Sequence, residues 1–361
     1  MKLLLMGADI NPPWTEGRKK LVRDLATRLQ DTCTVRLITT GRKHGVRSES
    51  YPHYEKKVLF NSFKLHGLHR FLADTLDDWS PDIVLHFPFG SFHGLRRLAN
   101  EWSVRHVDET CRAKGIRCLT IFYSITDLPW QRLGEIAREP VACPASGWNG
   151  LTMTMGTDIT DALSMAPKKQ GEPAILFMAG LQETKERILQ HILNERGLAD
   201  VVAAAPELAR AGVRVIVAIP LLKDRRLRET LRRHFLQSSP GIKLDLRTQI
   251  SIPDIFAAAD LYLFPYRKEL TQFLPTSVLE AMAAGTPVVM SDLAMLAPLH
   301  GQGQTSYVYP PGDAGRLAEV ILSALADPAG RQEKADRAQE FVRKHWSLER
   351  TVADLVKIIA G

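Results

Sequence analysis

The chain has 361 residues, 45% of them apolar and 24% charged, with a formal net charge of +7. That length exceeds the usual single hydrophobic core, so two domains are expected, and the balance of residue types excludes a disordered or fibrous chain. No apolar run approaches the ~20 residues of a spanning helix, and the four cysteines contain no C-x-x-C pair, so neither a zinc site nor a disulfide framework is expected.

The opening "MKLLLMGADINPPW" has an apolar stretch too short for a signal-peptide core and reads as a first strand, which points to a cytoplasmic protein. Further strands are predicted at 34–38, 83–87 and 119–124, with amphipathic helical patterns at 21–29 and 71–79 between them. Continuous apolar strands separated by helices imply a parallel sheet covered on both faces. The pattern fades through "VACPASGWNGLTMTMGTDITDALSMAPKKQGEP" (141–173), which holds one or two short strands and ends as a linker. It restarts with strands at 174–178, 213–219, 242–246, 261–264 and 287–290, and helices at 200–211, 224–236, 252–258 and 277–284. The expected fold class is therefore α/β, with two doubly wound parallel-sheet domains facing an interdomain cleft. The first domain is set at 1–165, the second at 172–340, and a C-terminal helix at 341–361 is expected to cross back to the first.

The positive charge collects in "GRKKLVR" (17–23), "GRKHGVR" (41–47) and "LKDRRLRETLRRH" (222–234). Such clusters are either solvated faces or surfaces that attract phosphates or an anionic membrane. No zinc-finger spacing, aromatic-glycine strand motif or heptad repeat is present, so no nucleic-acid partner is expected.

The segment richest in chemistry is "QFLPTSVLEAMAAGTPVVMSD" (272–292). Pro275 suits a helix entry, and Thr276 or Ser277 can cap it, so the first turn would attract a diphosphate. Glu280 could then accept hydrogen bonds from two ribose hydroxyls. Equally, Ser277 and Glu280 have the spacing of a capping box, in which the carboxylate only bonds back to its own helix.

The longer run "FPYRKELTQFLPTSVLEAMAAGTPVVMSD" resembles the nucleotide-sugar segment of the retaining glycosyltransferases of family 4 (group 1), which have the GT-B fold of two Rossmann-like domains. The resemblance continues in "VYPPGDAGRLAEVI" (308–321) and "HWSLERT" (345–351), and upstream in "MGTDI" (155–159) and "IPDIFAAADLYLFPYR" (252–267). In the first half "NPPWTEGRKKLVRDLATRL" (11–29), "SPDIVLHFP" (80–88) and "YSITDL" (123–128) match more loosely.

This resemblance implies transfer of a sugar from a nucleotide-diphosphate sugar to an acceptor hydroxyl, with retention and without an essential metal or other cofactor. It implies that Glu280 binds the donor ribose and that Phe273, Leu274, Pro275, Thr276 and Ser277 face the diphosphate. Gln272 stands where the family has a glutamate touching the donor sugar; it can donate and accept but carries no charge, or it merely ends the preceding loop. "NERGLADVV" (194–202) resembles the family's E-K-G element and makes Arg196 the phosphate cation. The arginine usual after the first strand of the second domain is absent, and Lys185 or Arg187 replaces it or is simply solvated.

Gly17 corresponds to the glycine turn beside the donor phosphate, with Glu16-Gly17 in place of a double glycine. His86, at a predicted strand end, touches donor or acceptor or is a structural histidine. Thr126 stands where the family often has histidine. Asp127 orients an acceptor hydroxyl or caps a turn. "FNSFKLHGLHRFL" (60–72) is an ordinary amphipathic helix or a basic, apolar face of the kind GT-B enzymes turn to lipid-linked acceptors, so acceptors from polysaccharide to lipid and peripheral contact with the inner membrane face stay open. Two other functions are weighed: a non-catalytic GT-B protein binding a nucleotide or glycan, and a sugar-nucleotide epimerase.

Overall fold

The computed structural model describes residues 1–7, 17–40, 55–58, 65–88, 96–122, 135–138, 151–153, 155–157, 159, 171–179, 189–219, 223–248, 251–268 and 275–361. They fall into two compact units.

The first unit comprises Met1–Gly156 and Leu348–Gly361. Its strands are β1 (Lys2–Gly7), β2 (Thr34–Thr40), β3 (Glu55–Val58), β4 (Ile83–His86), β5 (Arg117–Phe122), β6 (Glu135–Arg138) and β7 (Leu151–Thr152), all parallel, in the order β3-β2-β1-β4-β5-β6-β7. Helices α1 (Gly17–Leu29), α2 (Leu65–Trp79) and α3 (Arg96–Ala113) lie between them. Alternation along β1 explains why both faces are covered. Leu3 and Leu5 pack with Leu25 and Leu29 of α1, whereas Leu4 and Met6 pack with Leu72 and Leu76 of α2 and Val107 of α3.

The second unit comprises Thr157–Leu270 and Leu274–Ser347. Its strands β8 (Ala174–Met178), β9 (Arg214–Ala218), β10 (Lys243–Arg247), β11 (Leu261–Phe264), β12 (Val288–Ser291) and β13 (Tyr307–Tyr309) run parallel in the order β10-β9-β8-β11-β12-β13. Its helices of six residues or more are α4 (Leu198–Arg210), α5 (Arg225–Ser238), α6 (Ile252–Ala257), α7 (Thr276–Ala283), α8 (Ala314–Ala326) and α9 (Pro328–His345). A last helix, α10 (Leu348–Ala360), belongs to the first unit. There Arg117 donates to the carbonyls of Ile358 and Ile359 at 2.8 Å each, and Thr351 Oγ1 accepts from the Gly156 amide at 2.8 Å.

Each sheet thus has the doubly wound order in which the chain reverses direction beside its first strand. The reversal falls between β1 and β4 in one unit and between β8 and β11 in the other, and ligands of such sheets lie beyond the carboxyl ends of the strands there. Among the described residues no helix is long and apolar enough to cross a membrane.

Candidate functional site

Helix α7 starts one residue earlier than the sequence reading set it. Pro275 is the N-cap and no side chain caps the helix, which corrects the expectation that Thr276 or Ser277 does so. Ser277 is then the second helical residue and Glu280 the fifth, so the Ser277–Glu280 spacing is out of register for a capping box. The Ser277 hydroxyl is instead held by Tyr262 of β11, whose phenol donates to it at 2.8 Å. Burial pushes the Tyr262 phenol far above its ordinary range, so it stays a donor. The amides of Val278 and Leu279 bond back to the Pro275 carbonyl at 2.9 and 3.3 Å. Those of Thr276 and Ser277 stand in the first turn, where a helix supplies no acceptor of its own.

The other end of α7 is closed firmly. Gly285 takes a left-handed φ of 66°, and the amides of Gly285 and Thr286 return to the carbonyls of Met282 and Ala281 at 3.0 and 2.9 Å, a Schellman arrangement. Gln339 of α9 donates to the Ala283 carbonyl at 2.8 Å. Residues Val278 through Ala283 are all buried. Glu280, only 6% exposed, sits among them.

Arg196 reaches the same place from another element. It follows a π-helical turn, His191–Glu195, and precedes Gly197, whose φ is 72°. Its guanidinium lies over the Tyr266 ring, 5.4 Å from the centroid, and Tyr266 stacks on Phe264 at 3.8 Å. Both the Glu280 carboxylate and the Arg196 guanidinium act on the Tyr262 phenol, in opposite senses. The Glu280 carboxylate and the Arg196 guanidinium are thus both near the Tyr262 phenol that holds Ser277 in the first turn of α7, and Arg196 covers Tyr266 just past the carboxyl end of β11, next to the reversal of strand order.

Below them Arg267 grips Asp200, which is fully buried, with Nε 3.0 and 3.1 Å from the two carboxylate oxygens and Nη2 on one of them. Farther along the same sheet edge, a cavity of about 430 Å³ opens at the end of β10, lined by Leu246, Arg247, Thr248, Ser251, Asp254 and Ile255. Tyr262, Tyr266, Arg267 and the cavity had no assigned role in the sequence. The only signal was the aromatic-rich "LYLFPYR" at the end of a predicted strand.

In the first unit Gly17 opens α1. His86 ends β4 between Met6 and Thr120 of the flanking strands and is 2% exposed. Burial pushes its imidazole down to about 3, so it is neutral at physiological pH. Gln272, Phe273, Leu274, Lys185, Arg187, Thr126 and Asp127 lie outside the described residues.

Two Rossmann-like units with this strand order define the GT-B class of fold. Residues 186–327 match the family model "Glycosyl transferases group 1". Phosphatidyl-myo-inositol mannosyltransferase of Mycobacterium leprae is 26% identical over 246 residues, which are 64% of this chain and 60% of that protein. The chain thus matches less than two thirds of that relative's length. A glycosyltransferase from Rickettsia africae shares the fold with a TM-score of 0.77 at 12% identity, over 99% of this chain and 97% of that one. Anabaena HepE, solved in complex with UDP-glucose, does so with a TM-score of 0.69 at 14% identity, over 100% and 99%. The solved neighbours thus share the GT-B fold, and residues 186–327 resemble the group 1 domain.

Proposed function

We propose that the protein transfers a sugar from a nucleotide-diphosphate donor to an acceptor hydroxyl, with retention at the anomeric carbon and without an essential metal. The observation that carries this reading is the gathering of Glu280, Arg196 and the first turn of α7 around the Tyr262–Ser277 pair, with Arg196 over Tyr266 just past the end of β11.

Glu280 accepts hydrogen bonds from the ribose hydroxyls. The diphosphate lies against the amides of Thr276 and Ser277, where the helix dipole favours negative charge. Arg196 neutralises the charge that grows on the diphosphate as its bond to the anomeric carbon breaks, while the acceptor oxygen bonds that carbon from the same face and passes its proton to the departing diphosphate. The cavity at β10 takes the base end of the donor. It lies three strand spacings from β11, roughly 14 Å, so an extended nucleotide sugar would run along the sheet edge. Gln272 contacts the sugar, Gly17 the donor phosphate, and Asp127 the acceptor, with Lys185 or Arg187 as a second cation. His86 serves as a neutral hydrogen-bonding group. The acceptor is a lipid-linked or polysaccharide hydroxyl, in keeping with the lipid-directed mannosyltransferase among the relatives, and it is reached by peripheral contact with the inner membrane face.

Thermal shift with a panel of nucleoside diphosphates and their sugars tests this, because a ligand bound only by the native state raises stability by mass action. The reading expects a rise with one base and slow hydrolysis of the matching sugar nucleotide. No rise with any of them contradicts it. A second reading, a nucleotide-binding protein without turnover, rests on Gln272, Thr126 and the Ala-Gly-Leu at 179–181; binding without hydrolysis or transfer would favour it.

A further inference from the structure

Arg196 does not stand alone. His191 Nδ1 lies 2.7 Å from Glu195 Oε2, and its Nε2 lies 3.2 Å from Arg196 Nε. Arg196 Nε can only donate, so His191 Nε2 is the acceptor and Nδ1 carries the proton that Glu195 receives. We propose that Glu195 and His191 form a positioning relay that holds the Arg196 guanidinium by its Nε edge and leaves the Nη edge for the donor diphosphate. The proposal rests on the reading of Arg196 as the diphosphate cation.

The backbone shows why this needs an unusual turn. In an α-helix each residue advances about 100°, so positions five apart point about 140° away from each other. Residues four apart already meet, which suffices for His191 and Glu195. Arg196 is five residues from His191, and the π-helical hydrogen bond from its amide to the His191 carbonyl, 3.0 Å, brings it round to the same face. Such single turns recur at functional sites.

The turn is also anchored. The Arg267 amide bonds the Glu195 carbonyl at 2.9 Å, and Tyr266 lies under the guanidinium. Among the described residues, no protein group takes the Nη atoms of Arg196. A free arginine side chain loses rotamer freedom when it is fixed, and the relay fixes it before the ligand arrives.

The test uses the full chain and whichever of UDP, GDP or ADP binds it, each compared with its monophosphate by calorimetry. Arg196→Ala should remove most of the preference for diphosphate over monophosphate. His191→Ala, with Arg196 intact, should cut that preference about tenfold, as expected for one hydrogen bond to a charged group. His191→Gln, which keeps an acceptor near Nε2, should stay within about threefold of wild type. Glu195→Gln should fall between the two. In the double variant of His191 and Arg196 the loss should be no larger than in Arg196→Ala alone.

An unchanged preference in His191→Ala and Glu195→Gln, with the loss kept in Arg196→Ala, overturns the relay and leaves the site reading standing. An unchanged preference in Arg196→Ala overturns both. Equal weakening of monophosphate and diphosphate in the histidine variants marks a structural role and also overturns the relay. If His191→Ala does not fold, His191→Gln and Glu195→Gln carry the same comparison.

Discussion

Gly197 and Pro265 approach so closely that a β-carbon on Gly197 would lie 1.6 Å from the Pro265 carbonyl oxygen. The two residues join the loop that carries Arg196 to the segment that carries Tyr266 and Arg267. Gly197 is also left-handed, at φ 72°. An alanine there adds the penalty of that conformation to a contact that only backbone movement can relieve. Gly197→Ala should lower stability by at least about 2 kcal/mol in urea unfolding, and should weaken diphosphate binding by moving Arg196.

The Arg267–Asp200 pair offers a second prediction. Asp200 is fully buried, while the arginine side chain remains 33% exposed. Loss of one partner strands the other, but the arginine can turn to water, so the cost falls below that of a fully buried pair. Asp200→Asn should lower stability by about 2 kcal/mol, measured by the shift in denaturant midpoint at constant slope.

His86 predicts acid sensitivity. Its imidazole titrates near 6.5 when unfolded and near 3 when folded. Above about pH 6.5 neither state binds the proton and its contribution is intact. As pH falls below that, the unfolded chain takes up a proton that the native state refuses, and stability is lost progressively toward pH 3. Between pH 7 and pH 5 the loss from this residue is about 2 kcal/mol. His86→Gln should lose that much less over the same interval; parallel stability curves would contradict it.

Much of this was legible in the sequence, for physical reasons that differ by element. Apolar runs bounded by glycine and proline located β8, β11 and β12, because buried parallel strands need continuous apolar residues. Pro275 and the Ala-Gly-Thr-Pro break fixed α7 to within a residue, since both ends of a helix have strong residue preferences. Strand β3, "EKKV", escaped because an edge strand of polar residues has no apolar run. The π-helical turn escaped because a five-residue departure from helical period leaves no repeat to detect. Asp200 and Arg267 are 67 positions apart, and only the fold brings them together. Glu280 stands out through its place one turn into a helix and through resemblance, and Arg196 through resemblance alone; their shared neighbour Tyr262 gives no such sign, because a buried tyrosine in a strand reads as core.

The central claim is that Glu280 holds the ribose of a nucleotide donor. It is tested most directly by titrating the best-binding nucleoside diphosphate into wild type and Glu280→Ala by calorimetry. The account predicts at least a tenfold loss of affinity in the variant, as expected when charge-assisted hydrogen bonds are removed. Equal affinity in a folded Glu280→Ala protein would contradict it.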